Sequence, residues 1–260
     1  MVDQRRFDGE DDTLRAPPGV AENFRQTSLR HWKARSEGVP VAGDLDAALY
    51  QLRTRFLSYA QGQAVNDKRA VIVLGYPASG RTEAIKRIAG GVGAAFVDLD
   101  YAMSCIPEYE GGAGAAAVHY EAYCMAATIA EDLLLEGTNI ILRRVGNRSS
   151  TILALLAELD SLGYSTILVH VRMDADHACR KAVLRLLDAG QPFERNAFLG
   201  GAPEDALREV AACKPMTEHI LVEGGDAPAL AAENATAGSP FAQLAAGAIA
   251  GELKYTPTAR

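Results

Sequence analysis

The sequence predicts an α/β protein, a parallel sheet of about five strands flanked by helices, with a helical extension at its N-terminus. Three observations carry this. Short apolar runs alternate with longer helical patterns from Arg69 onward, as a parallel sheet with helical crossovers requires. The 260 residues are 48% hydrophobic, enough for a substantial core. A glycine-rich loop sits between the first apolar run and a helix, where such folds bind anions.

Residues 1–20 are charged and carry Pro17-Pro18-Gly19, which reads as a flexible arm. Residues 21–65 read as the helical extension. A first helix over 21–35 would hold Phe24, Leu29 and Trp32. A stronger one follows Asp44, with Leu45, Ala48, Leu49, Leu52, Phe56 and Leu57 forming one apolar stripe. Residues 66–226 form the sheet domain. Strands are expected at 70–75, 94–98, 138–143, 166–172 and 219–223, and helices at 81–90, 115–136, 150–162, 174–188 and 203–213. Residues 227–260 read as an alanine-rich tail with a terminal helix over 239–253.

The net charge of −7 argues against nucleic acid or an anionic membrane as partner. No run of about 18 apolar residues could span a bilayer, and the polar N-terminus lacks the apolar core of a signal peptide. The four cysteines, Cys105, Cys124, Cys179 and Cys213, are scattered and read as reduced thiols. The expected compartment is the cytoplasm.

The chemistry concentrates at Gly75-Tyr-Pro77-Ala78-Ser79-Gly80-Arg81-Thr82, which fits G-x-x-x-x-G-K-[ST] except that Arg81 stands for lysine. Glycines let successive N–H groups converge on phosphate oxygens, and the following helix points its positive end at the same anion. The Thr82 hydroxyl would hold Mg²⁺. Arginine is planar and forked, so Arg81 can bind phosphate but not in lysine's geometry. Lys86, more than a turn further on, is too far along the helix to compensate. Asp98 and Asp100 end the second strand, where alternation would set both carboxylates on one side. There a carboxylate could accept a hydroxyl proton or hold a metal-bound water; a helix N-cap is the plainer alternative. His119 and Glu121 open the long helix 115–136. His170 alternates with Leu168 on a buried strand and reads as a core histidine. Arg180 and Arg185 precede Gly190-Gln-Pro192 and could close over a phosphoryl group.

In order, these pieces resemble the zeta toxin family of P-loop kinases, over about residues 66 to 225. The matching residues are Gly75–Thr82, Val97-Asp-Leu-Asp100 with Ile106-Pro107-Glu-Tyr109, Val118-His119-Tyr-Glu121-Ala, Glu136-Gly137-Thr-Asn139-Ile-Ile141, Leu162-Gly163-Tyr164, and Arg180 with Arg185 before Gly190-Gln-Pro192. The resemblance implies a P-loop kinase-like fold similar to chloramphenicol phosphotransferase. It also implies phosphorylation of UDP-N-acetylglucosamine or a related UDP-sugar by ATP or GTP with Mg²⁺, and restraint by a small helical antitoxin. It makes Asp100 the base, Thr82 the magnesium-side hydroxyl, and Arg180 and Arg185 the lid arginines.

Two departures fall on functional positions. Arg81 replaces the loop lysine. After the third strand, the acid followed by Gly-Thr gives way to Arg143-Arg144-Val145-Gly146. Asp98, Glu121 and Arg143 are the substrate-side candidates. Arg143 could meet a more anionic acceptor, face solvent, or pair with Asp98 or Asp100 and so block the base. Active phosphotransferase, nucleotide-binding pseudoenzyme and protein-interaction relative all remain open at this point.

Overall fold

The computed structural model describes residues 44–251, apart from 63, 113, 190–195, 216 and 232–237. The expected arm over 1–20 and helix over 21–35 lie outside the described residues. Helix α1 spans Asp44–Ser58, followed by β1 Arg69–Leu74, α2 Arg81–Val92, β2 Ala95–Phe96, α3 Leu99–Ser104 and a 3-10 turn over Pro107–Gly112. Next come α4 Ala115–Leu135, β3 Ile140–Arg144, α5 Ser149–Ser161, β4 Ser165–Arg172, α6 Ala175–Ala189, α7 Asn196–Leu199 and α8 Pro203–Cys213. The chain closes with β5 Glu218–Glu223, β6 Ala229–Leu230 and α9 Pro240–Ala250.

The sheet order is β2-β3-β1-β4-β5-β6, parallel except for β6. Both neighbours of β1 are parallel partners, with Val73 opposite Arg143 on one side and Val169 on the other. A strand covered on both faces should read as unbroken apolar sequence, and Ala70 through Leu74 are all fully buried. Leu52, Phe56, Ile72, Leu74, Leu133, Leu156 and Leu168 pack on one face of the sheet. Val71, Val73, Ile85, Ile88, Phe96, Ile141, Val169 and Ile249 pack on the other. The chain leaves β1 toward β2 on one side and later adds β4 on the other, so the carboxyl end of β1 is the switch point where such sheets bind ligands.

Two expectations are corrected. The second strand stops at Phe96, because Asp98 caps a helix that begins at Leu99. Asp98 and Asp100 therefore do not alternate along a strand. The tail also does more than trail away, since Ala229–Leu230 pairs with β5 and α9 packs its apolar side into the second core.

The apolar stripe of α1 is core: Leu52 and Phe56 are fully buried. Phe56→Ala should cost about 3–5 kcal/mol in urea unfolding, the usual range for emptying an aromatic site. A negligible loss would mean that α1 is a loosely held extension.

Candidate functional site

The loop leaving β1 has the backbone of an anion cradle. Gly75 (φ 144°), Ala78 (φ 63°) and Gly80 (φ 99°) all lie in the left-handed region. For Ala78 that conformation costs about 1–2 kcal/mol, a strain retained where the surroundings impose it. A side chain at Gly75 would stand 2.6 Å from the Val171 carbonyl, and one at Gly80 would overlap the Gly225 carbonyl. Three backbone bonds pin the loop: Gly75 N–H to Val145 at 3.0 Å, Ser79 N–H to Tyr76 at 3.2 Å, and Gly225 N–H to Ser79 at 2.9 Å. Among the described residues, none accepts from the amides of Ala78, Gly80 or Thr82. No side chain caps α2. The Ser79 hydroxyl in the same loop is buried without a partner. Unpaired first-turn donors beside an orphaned hydroxyl suit a phosphate.

Arg81 runs along the loop, its Cδ 3.5 Å from where a side chain at Gly75 would begin. It is 8% exposed and reaches the tip of β3, where Nη1 donates to the Arg144 carbonyl at 2.8 Å. Thr82 is exposed at the start of α2. Lys86 is also exposed and lies 3.8 Å from Glu83, on the solvent side of the helix.

At the tip of β3 the structure brings Arg143 and Asp100 together. Arg143 Nη2 donates to Asp100 Oδ2 at 2.6 Å, and the guanidinium carbon lies 5.7 Å from the Phe96 ring centre. The Arg143 side chain is 17% exposed and that of Asp100 is 54% exposed. Crowding by protein desolvates the Asp100 carboxyl and pushes its pKa up. The charge and hydrogen bond of Arg143 outweigh this, with Arg81 and His119 adding to them, so the carboxyl is held below its ordinary range.

Asp98 is spent elsewhere. Its Oδ1 accepts from the Tyr101 amide at 3.3 Å and its Oδ2 from the Tyr59 hydroxyl at 2.6 Å. Tyr59 is pushed up to about 12 by burial, then by its bond to Asp98 and that carboxylate's charge. Arg55 of α1 lies over the Tyr59 ring at 4.7 Å and the Tyr101 ring at 5.1 Å. Glu121 is half-buried on the first turns of α4. His170 is buried, 3.4 Å from Glu204, and burial pushes its pKa down.

Arg180 and Arg185 are exposed on α6. Arg180 lines a cleft of about 460 Å³ with Asp174, Asp176, His177, Lys181 and Leu184. Lys181 pairs with Asp226 at 2.6 Å, and Asp226 follows the Gly225 that packs on the loop. Through this route α6 is tied to the cradle. Sequence reading missed Tyr76, which stacks on Phe198 with ring centres 5.5 Å apart and nearly parallel planes. An aromatic inside the loop, and another in α7, were the available signals.

No protein-family model matches the sequence, and a search of curated proteins finds no match. Solved structures do share its fold. One, from the molecular and structural characterization of the PezAT chromosomal toxin-antitoxin system of Streptococcus pneumoniae, is 17% identical, with 79% of this chain and 87% of that chain covered at a TM-score of 0.57. A crystal structure of the AvrRxo1-ORF1:-ORF2 complex is 16% identical over 86% of this chain and 73% of that one, at 0.56. The same complex solved with ATP is 17% identical over 85% and 73%, at 0.54. At such identities the likeness is one of fold alone, an α/β fold shared with these structures. No helix among the described residues is long and apolar enough to cross a membrane.

The Asp100–Arg143 pair makes stability depend on pH in a set direction. A depressed folded pKa stabilises above the unfolded carboxyl value of about 4 and loses that contribution as pH falls through the folded value. Arg143→Met should raise the Asp100 pKa, read by carbon-13 NMR of the side-chain carboxyl. The pH-dependent part of the stability gap between the two proteins should close in acid. An unmoved Asp100 titration would show that the pair does not form in solution.

Proposed function

We propose that the chain is a zeta-toxin-like phosphotransferase that moves the γ-phosphoryl group of ATP or GTP to a hydroxyl of a small acceptor such as a UDP-N-acetyl sugar. The observation that carries this reading is the left-handed loop 75–82, with unpaired amides at the start of α2 and at the switch point of the sheet. Gly75, Pro77, Ala78, Ser79, Gly80, Arg81 and Thr82 would hold the triphosphate. Magnesium, when bound at the Thr82 hydroxyl, would offset phosphate charge. Asp100 would take the hydroxyl proton, Glu121 and Arg143 would border the acceptor, and Asp98, first expected to do so, would instead fasten Tyr59 and the start of α3. Arg180 and Arg185 would steady the transferring group from α6. Residues 66–226 would be the catalytic unit in the cytoplasm, with α1 and α9 packed against it.

The neighbours whose descriptions name a toxin-antitoxin system and a two-component complex support an antitoxin-like protein as partner. The AvrRxo1 complex solved with ATP supports nucleoside triphosphate as ligand. A second reading, a nucleotide-binding relative with impaired catalysis, is favoured by one specific observation: the base candidate is already engaged by Arg143 at 2.6 Å.

Nucleotide with magnesium at roughly a hundredfold excess over Kd should stabilise the protein by about 2.7 kcal/mol, read as a melting shift of roughly 5–10 °C. Arg81→Ala should shrink it. Incubation with ATP or GTP and a UDP-sugar panel, followed by mass spectrometry, should give a phosphorylated product that Asp100→Asn abolishes. A melting shift without product would favour the second reading, and Arg81→Lys with Arg143→Glu should then restore turnover. No shift and no product would defeat both.

A further inference from the structure

We propose that the acceptor carries an anionic group of its own, a phosphate or carboxylate beside the reacting hydroxyl, and that this anion takes Arg143 away from Asp100. The inference rests on the phosphotransferase reading and names its substrate class. Its basis is the charge at the tip of β3. Arg81 and Arg143 both reach that tip, Arg81 donating to the Arg144 backbone carbonyl and Arg143 to Asp100. Two guanidinium groups, those of Arg143 and Arg81, thus bear on Asp100, in a chain of net charge −7. Asp98 is also held by the Tyr59 hydroxyl and the Tyr101 amide, which leaves Asp100 as the carboxylate facing Arg143.

A neutral acceptor would have to dock beside an intact ion pair whose carboxylate is both occupied and weakened as a base. An anionic acceptor can exchange with Asp100. The guanidinium then keeps an oxyanion partner in its preferred forked geometry, so no positive charge is stranded. The exchange is inexpensive because Asp100 is 54% exposed and half-exposed pairs contribute little. Arg143 itself stays in place, 17% exposed and against the Phe96 ring. Binding and activation thus become one event, since the anion that is recognised also releases the base.

The step balances. The acceptor oxygen forms a bond to the γ-phosphorus as its O–H bond breaks and the proton passes to Asp100. The bond from the γ-phosphorus to the bridging oxygen of the triphosphate breaks, and the nucleoside diphosphate leaves with that electron pair.

The test compares matched acceptors in the presence of ATP and magnesium: a neutral N-acetyl sugar, its 6-phosphate, the corresponding uronic acid, and the UDP-linked sugar. Wild type should favour anionic members over the neutral one in kcat/KM by at least about tenfold, the usual reach of one charge-assisted contact. Arg143→Met should lose that preference, and Arg143→Lys should keep part of it. The UDP-linked sugar, whose charge sits on the diphosphate away from the ring hydroxyls, serves as the control for the phosphotransferase reading, and a preference for it alone, with the 6-phosphate and the uronate no better than the neutral sugar, overturns the proposal. Equal turnover of neutral and anionic acceptors, or a preference that survives in Arg143→Met, overturns the proposal.

A second readout needs no turnover. Inorganic phosphate, followed by amide NMR, should perturb residues 98–101 and 143–145 in wild type and in Arg143→Lys but not in Arg143→Met. Silence at those residues in wild type overturns the proposal by itself. Perturbation of loop 75–82 by phosphate, and the melting shift with ATP, report separately on the phosphotransferase reading. Failure there with binding at Arg143 intact would count against that reading alone.

Discussion

At Gly80 the backbone of Gly225 comes so close that a side chain would overlap its carbonyl, and the rest of the site is arranged around that contact. The left-handed turn at Gly80 sets the start of α2 against the β5–β6 connection. The Gly225 amide donates to Ser79, and Asp226 beside it holds Lys181 of α6. One close approach therefore couples the end of β1, the positive end of α2 and the helix that carries Arg180 and Arg185. The core makes such closeness affordable, because Ala70–Leu74 and the strands on either side are fully packed and do not yield.

Around this rigid loop the polar groups follow different needs. Asp98 serves structure, capping α3 and accepting the Tyr59 hydroxyl, so the turn after α1 is fastened beside the second strand. A buried carboxylate with two donors is well satisfied and has little left to offer a ligand. Asp100, two residues on, projects from the first turn of α3, half exposed, and meets Arg143 from β3. Arg81 runs past Gly75 to the same strand tip. The two positions where the chain departs from the zeta toxin pattern are therefore spatially coupled, both acting on one carboxylate. A long forked cation in place of lysine can span from the loop to β3, which a compact ammonium would do less well.

Much of this was legible in the residues themselves. The apolar runs at 69–74, 165–172 and 218–223, the long helix from Ala115, and the loop at Gly75–Thr82 follow from local periodicity and glycine placement, which depend only on near neighbours. Local signals were least decisive around Asp98. A two-residue strand cannot show alternation, and Asp suits a strand end as readily as an N-cap. The pairing of Ala229–Leu230 with β5 was equally hidden inside alanine-rich sequence.

The chain's residues by themselves determined the fold class, the glycine-rich loop after β1 and the set of charged groups near it. Only the tertiary structure decided which of those groups meet. Asp100 and Arg143 are 43 residues apart in sequence. They become partners because β3 inserts between β2 and β1, a choice made by packing of the whole sheet. Asp98 belongs to Tyr59 and Arg81 to β3 for the same reason: a hydrogen-bond partner is assigned by three-dimensional proximity, and periodicity along the chain carries no record of it.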